Sequence, residues 1–254
     1  MYAFSIGMKR RAEISNPVLK PVFLLEYKRL IKYESLVFNE MENKVIISIQ
    51  DRDAIDHPQK KEMQVIPNGV DFNIFYPSAK EKKYDLLFTG NMGYPPNIES
   101  AYYAATQIVP VIHQTHPDTT LLIAGVNAPA RIKKLGNDRI FIIEKFEHIR
   151  DAFAQSNIML APMLISIGLQ NKILQAMAMK VPCIVSTLAN NAIQATRGAE
   201  ILEANSPEEF AACYSELISN SEKYNAISDH AFAFVRKNFE WKLQNEKLEK
   251  IILG

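Results

Sequence analysis

Gly168, Leu169, Gln170, Asn171 and Lys172 bring a turn, two amides and a cation to a point where a helical pattern begins, with Gln175 one turn further on. Residues of these types at a helix start can hold an anion. The first amides of a helix have no acceptors within it, and the helix dipole favours negative charge there by roughly 0.3–1 kcal/mol when exposed. Gly168 lets backbone come close to a phosphate, Lys172 adds a full charge, and Gln175 on much the same face can bond a sugar hydroxyl. Spacing alone leaves two readings open, a solvated first turn and a bound anion.

Three other loops can contribute. FTGNMGYPPN (88–97) follows an apolar run and opens a helical pattern, with Gly90 and Gly93 as points of close backbone approach and Asn91 between them. It lacks the third glycine and the distant acidic residue of a dinucleotide fingerprint, so it reads either as a plain turn or as part of a ligand edge. IAGVN (123–127) places Gly125 after another run, and KFEH (145–148) places Phe146 and Glu147 after a third. Phe146 can stack on a base or pack inward, and Glu147 with His148 reads as an exposed pair. His113 and His116 share a helix face without a third ligand nearby, and we expect a solvated pair rather than a metal site.

The elements that position these loops follow from the pattern of apolar runs. KVIISI (44–49), DLLFTG (85–90), TLLIAG (120–125), RIFII (139–143), NIMLAP (157–162) and CIVST (183–187) are continuous rather than alternating. Strands covered on both faces read this way. Helical patterns lie between them at Asn97–His116, Pro129–Leu135, Ile149–Gln155 and Gln170–Met179. The alternation predicts an α/β chain with a parallel sheet flanked by helices, whose ligands bind beyond the carboxyl ends of the strands. Before this region, Leu19–Met41 carries a helical apolar stripe, and after it Ser206–Leu253 reads as almost wholly helical.

In the 254 residues, 29 basic and 28 acidic side chains nearly cancel, which argues against nucleic acid as a partner. Basic residues are nevertheless dense near the start: Lys9, Arg10, Arg11, Lys20, Lys28, Arg29 and Lys32 against Glu13 and Glu26. Such a face is either simply solvated or rests on anionic lipid. Cys183 and Cys213 suggest neither a metal site nor a disulfide framework, and no run approaches the length of a membrane span. The expected location is cytoplasmic, with peripheral contact at the inner face of the membrane as an option.

VIPNGVDFNIFYP (65–77), LLFTGNMGYPPN, LLIAG and IMLAPMLISIGLQNKILQAMAMKVPCIVST, in this order, resemble the retaining glycosyltransferases of family 4, and in particular their bacterial polysaccharide-assembly branch. These enzymes have the GT-B fold, two Rossmann-like domains with a donor cleft between them. The resemblance implies a nucleotide-sugar donor, UDP- or GDP-linked, and neither a cofactor nor a metal. Its diphosphate would lie on Gly168–Lys172, with Lys172 as leaving-group stabiliser, its ribose on Gln175 and its base near Lys145–Glu147. Gly90, Asn91, Gly125, Phe146, Glu147, Gly168, Leu169, Gln170 and Asn171 complete the donor-binding set.

The chain departs from the family at several points. Two glutamates with seven residues between them are usual, where Ile167 and Gln175 stand here. The usual Arg and Lys after the first strand are replaced by Asn91 and Pro95-Pro96, and Lys180 stands where a helix-ending glycine is common. The resemblance also predicts the organisation: 1–58 as the tail of an acceptor domain, with its glycine-rich loop and catalytic histidine not in this chain; 62–235 as the donor domain; 236–254 as a helix returning toward the first. On that basis we expect a hexose-type transferase for surface polysaccharide or a lipid-linked acceptor, incomplete alone. It would be a fragment, a shortened product or half of a split enzyme, with self-association or a partner carrying the acceptor domain. The alternative is a non-catalytic docking module.

Overall fold

The computed structural model describes residues 4–165 and 168–253. Contacts divide the chain into two units. One takes the chain up to Gly69 together with Ile165, Gly168, Leu169 and the chain from Trp241; the other takes Val70–Leu164 and Gln170–Glu240.

The first unit adds to the expected helix and strand. It holds α1 (Phe4–Ile14), α2 (Lys20–Glu40), β1 (Val45–Ile46), α3 (Ile49–Ala54) and β2 (Gln64–Val65), with β1 and β2 paired in parallel. The basic start is a helix. It runs antiparallel to α2: the buried Glu34 carboxylate accepts the Ser5 amide at 2.9 Å and the Ser5 hydroxyl at 2.6 Å, while Arg11 lies over the Phe23 ring. KVIISI does not stay extended. The Ser48 hydroxyl accepts the Asp51 amide at 3.0 Å and donates to the Asp51 carboxylate at 2.8 Å, and this cap turns the chain into α3 at Ile49. Phe38, Ile46, Ile55 and Met63 form the small core.

The second unit is built on a six-stranded, all-parallel sheet: β3 (Tyr84–Thr89), β4 (Leu121–Ala124), β5 (Ile140–Ile143), β6 (Ser156–Ala161), β7 (Cys183–Val185) and β8 (Leu202–Glu203), in the order β5-β4-β3-β6-β7-β8. Counted from β3 as the first, this is the Rossmann order 3-2-1-4-5-6, with its reversal between β3 and β6. The continuous apolar runs are buried as expected: Leu86, Leu87, Leu121, Leu122, Ile158 and Met159 are fully enclosed. At the amino end the Asp85 carboxylate accepts both the amide and the hydroxyl of Thr120, which fixes the β3–β4 register so that Thr89 and Ala124 end side by side.

The connecting helices are α4 (Pro95–Tyr103), α5 (Val109–Ile112), α6 (Ala130–Lys133), α7 (Arg150–Ala154), α8 (Asn171–Ala178), α9 (Thr187–Ile193), α10 (Pro207–Ser219) and α11 (Ser221–Phe239); α12 (Trp241–Leu253) belongs to the first unit. The single helix expected over Asn97–His116 is interrupted by a π turn at Ala104–Ile108. Pro110 follows at once and offers no amide to the ladder, which accounts for the widened turn before it. α8 packs on α11 and α10 on α5. Lys180, just past α8, takes the left-handed backbone at φ 55°, held by the Ser228 hydroxyl on its carbonyl at 2.7 Å and by Asp229 on its ammonium at 2.6 Å.

Candidate donor site at the carboxyl edge of the sheet

Two loops leave the sheet where its strand order reverses. β3 runs into Gly90–Tyr94 and then α4, with Pro95 as its first residue; β6 leads on to α8, which opens at Asn171 with Gln170 as N-cap. Pro95 sets the backbone of the first turn, and no amide is lost because that position has no helical acceptor.

Gly90 here and Gly125, just past β4, are required by protein neighbours. A Cβ on Gly125 would sit 1.8 Å from the Gly90 carbonyl oxygen, and Gly125 has φ 147°. A Cβ on Gly90 would sit 2.8 Å from the Asn97 side chain. The ends of β3 and β4 thus approach closely, and the space beside Gly90 is taken by Asn97, which is 9% exposed. The Asn97 amide donates to the Asn91 carbonyl at 2.9 Å, and its oxygen accepts the Lys172 ammonium at 2.7 Å. Asn91 is exposed, and its side-chain oxygen accepts the Gly93 amide at 2.8 Å.

Lys172 therefore reaches from the first turn of α8 to the first turn of α4. Its Nζ also lies 4.5 Å from the centroid of the Phe88 ring on β3. It has no ion-pair partner among the described residues, and burial lowers its pKa to about 7. Gln175 follows one turn on and is partly buried. The structure thus brings Gly90, Asn91, Gly125 and Lys172 together, with Gln175 on the same helix.

The other expected residues lie elsewhere. Lys145, Phe146 and Glu147 follow β5, two strands out from β3 and so about 10 Å along the edge; Phe146 is partly buried and Glu147 exposed. Gly168, at φ 67°, and the buried Leu169 group with the first unit, although they precede Gln170 and Asn171 directly in the chain. Ile167 lies outside the described residues. His113 and His116 are not the solvated pair expected: His113 Nε2 bonds the Thr119 carbonyl at 2.8 Å and His116 Nε2 the Ser215 hydroxyl at 2.9 Å, so each locks a loop. Among the described residues no group of three His, Cys, Asp or Glu could hold a metal ion. The residue that sequence reasoning missed is Asn97, whose only signal was a polar side chain directly after two prolines.

The chain is similar to known proteins in sequence and in fold. A family model described as "Glycosyl transferases group 1" matches residues 83–220. An uncharacterized 44.6 kDa protein in the cps region of Klebsiella pneumoniae is 23% identical over 242 residues, 89% of this chain and 60% of that protein. The chain thus spans three fifths of that relative's length. Among solved structures, Anabaena Alr3699/HepE in complex with UDP and glucose superposes with a TM-score of 0.73 at 15% identity, covering 89% of this chain and 67% of that one. The C-terminal domain of the group 1 glycosyl transferase LpcC from Francisella tularensis gives 0.53 at 20% identity, covering 68% of this chain and 99% of that one. The parallel sheet and its flanking helices match the corresponding half of the GT-B fold.

Proposed function

Since the chain belongs to the glycosyl transferases of group 1, we propose that its six-stranded unit binds the donor of a retaining, family 4 sugar transfer. The donor is a nucleoside-diphosphate hexose, UDP- or GDP-linked. The observation that carries this reading is the Lys172 ammonium, drawn to the strand-order reversal between the first turns of α4 and α8. There it takes the diphosphate and stabilises it as leaving group, with amides of the α8 start alongside. Gln175 bonds the ribose, and the base lies toward Phe146 and Glu147. The UDP complexes of a structural neighbour support this choice of ligand. The relative's place in a cps region supports a growing surface polysaccharide or a lipid-linked sugar as acceptor. The acceptor half of the reaction comes from a further domain, on the same or a partner polypeptide, and the first unit joins that domain or a second copy of this chain.

Thermal-shift titration with UDP, GDP, ADP and CMP tests the donor site. One diphosphate is expected to stabilise the protein, and Lys172→Ala to weaken it ten- to a hundredfold, the worth of a charge-assisted bond at about 1.5–3 kcal/mol. Gln175→Ala removes a neutral bond of about 1 kcal/mol and costs about fivefold. Equal losses in the two folded variants, or none, would remove this placement of the phosphates. No shift with any nucleotide, together with binding of an acceptor-domain partner, favours the docking module.

The outer face of α2 presents Val22, Leu25 and Leu36 with Lys28, Arg29 and Lys32, all exposed. Their spacing puts them on one side of the helix. No described helix is long and apolar enough to cross a membrane. The mixed face supports peripheral contact with an anionic membrane on the cytoplasmic side, where a lipid-linked acceptor would be met.

A further inference from the structure

We propose that Asn97 is the positioning residue for Lys172: its side-chain amide, wedged between the ends of β3 and α4, holds the ammonium at the carboxyl edge where the diphosphate is received. The inference rests on the donor reading above and adds a residue to it.

A lysine head is a compact charge on a flexible stem, so a lysine that must meet one phosphate needs something to aim it. Asn97 is built to do so. Its nitrogen donates to the Asn91 carbonyl, which leaves its oxygen, and only its oxygen, facing Lys172. It cannot swing toward β3, because the Gly90 backbone fills that side and a Cβ there would already collide with it. Phe88 closes the floor beneath the ammonium. Among the described residues, an aromatic ring on β3 and an amide on α4 meet the Lys172 ammonium from neighbouring elements, and neither titrates.

That neutrality has a function. A carboxylate at 97 would hold the ammonium as an ion pair and cancel the charge a diphosphate needs. An amide aims the charge and leaves it uncompensated. Burial without a counter-charge brings the Lys172 pKa to about 7. An incoming diphosphate favours the protonated form, so affinity is full below that pH and falls as pH rises through it.

The test follows the titration of the Lys172 side chain by NMR in the ligand-free protein. In parallel, calorimetry measures the affinity for UDP-glucose, whose diphosphate diester does not itself titrate near neutrality, from below to above pH 7. Asn97→Asp keeps the shape. It is expected to raise the Lys172 pKa, flatten the decline of affinity with pH and weaken binding below pH 7. Asn97→Ala is expected to move the decline to lower pH and weaken binding about tenfold. Unchanged lysine titration in both variants overturns the proposal, as does a changed titration with an unchanged pH profile of affinity. Failure of the wild type to bind UDP-glucose, UDP or GDP counts against the donor reading instead, and the ligand-free titration then decides by itself whether Asn97 holds the ammonium.

Discussion

The two units solve the problem of burying apolar surface in opposite ways. In the six-stranded unit the apolar runs are spent internally: Leu86, Leu87, Leu121, Leu122, Ile158 and Met159 are closed off on both faces of the sheet. In the first unit, α2 has 21 residues but fully buries only Glu34 and Phe38, while Val22, Leu25, Tyr33 and Leu36 remain at 57–63% exposure. Its two-stranded parallel sheet is far below the size at which sheets stand alone. The difference teaches that one unit carries its own stability and turns polar chemistry outward at an edge. The other turns apolar surface outward.

The sharpest way to break this comparison is to attack the self-sufficient unit where its strands meet. Gly125→Ala places a methyl 1.8 Å from the Gly90 carbonyl at a backbone angle of 147°. We expect a loss above about 4 kcal/mol, beyond the ordinary range of single substitutions. Urea unfolding followed by near-ultraviolet signal measures it, and a loss within about 1 kcal/mol would show that the two strand ends have room to part.

A smaller effect is expected on the open unit. Neutralising Lys28, Arg29 and Lys32 to Gln removes about 1 kcal/mol of lipid attraction per charge, or about a hundredfold in partition to anionic vesicles, without a change in melting temperature. Flotation at low and high salt reads this. Salt-independent or absent binding by the unaltered protein would end the membrane assignment and leave protein partners for α2. Smallest is Ser48→Ala, which removes the α3 cap for about 1 kcal/mol. Because the first unit has a small core, that loss should appear as faster amide exchange in α3 while β3 and β6 stay protected. Equal acceleration in the sheet would mean that the units unfold together.

The long apolar strands were legible because burial on both faces writes itself as an unbroken run. β3, β4, β5 and β6 lie where the runs lie. β8, two residues long, and α9, which starts within the run read as β7, were not: each has fewer residues than any period needs. α3 was hidden by local hydrogen bonding, since Ser48 and Asp51 override the strand preference of KVIISI. At the site, Lys172 was legible from its place at a helix start, because a local dipole acts on local residues. Asn97 was not, since the partner that gives it meaning lies 75 residues away. Strand order decides that meeting, and strand order is a property of the whole sheet.

Gly125 leaves room for the Gly90 backbone, Gly90 leaves room for Asn97, and Asn97 meets Lys172. Four positions, two just past strand ends and two on helices, are thus linked like stacked spacers, where thickening any one shifts the next. A mutational scan that tests the proposed donor site by nucleotide binding alone would flag Gly90 and Gly125 as strongly as the lysine and invite their assignment as ligand contacts. Scored by abundance as well, the same scan separates them: the glycines are expected to lose protein, whereas under the donor proposal Lys172 variants lose nucleotide binding alone.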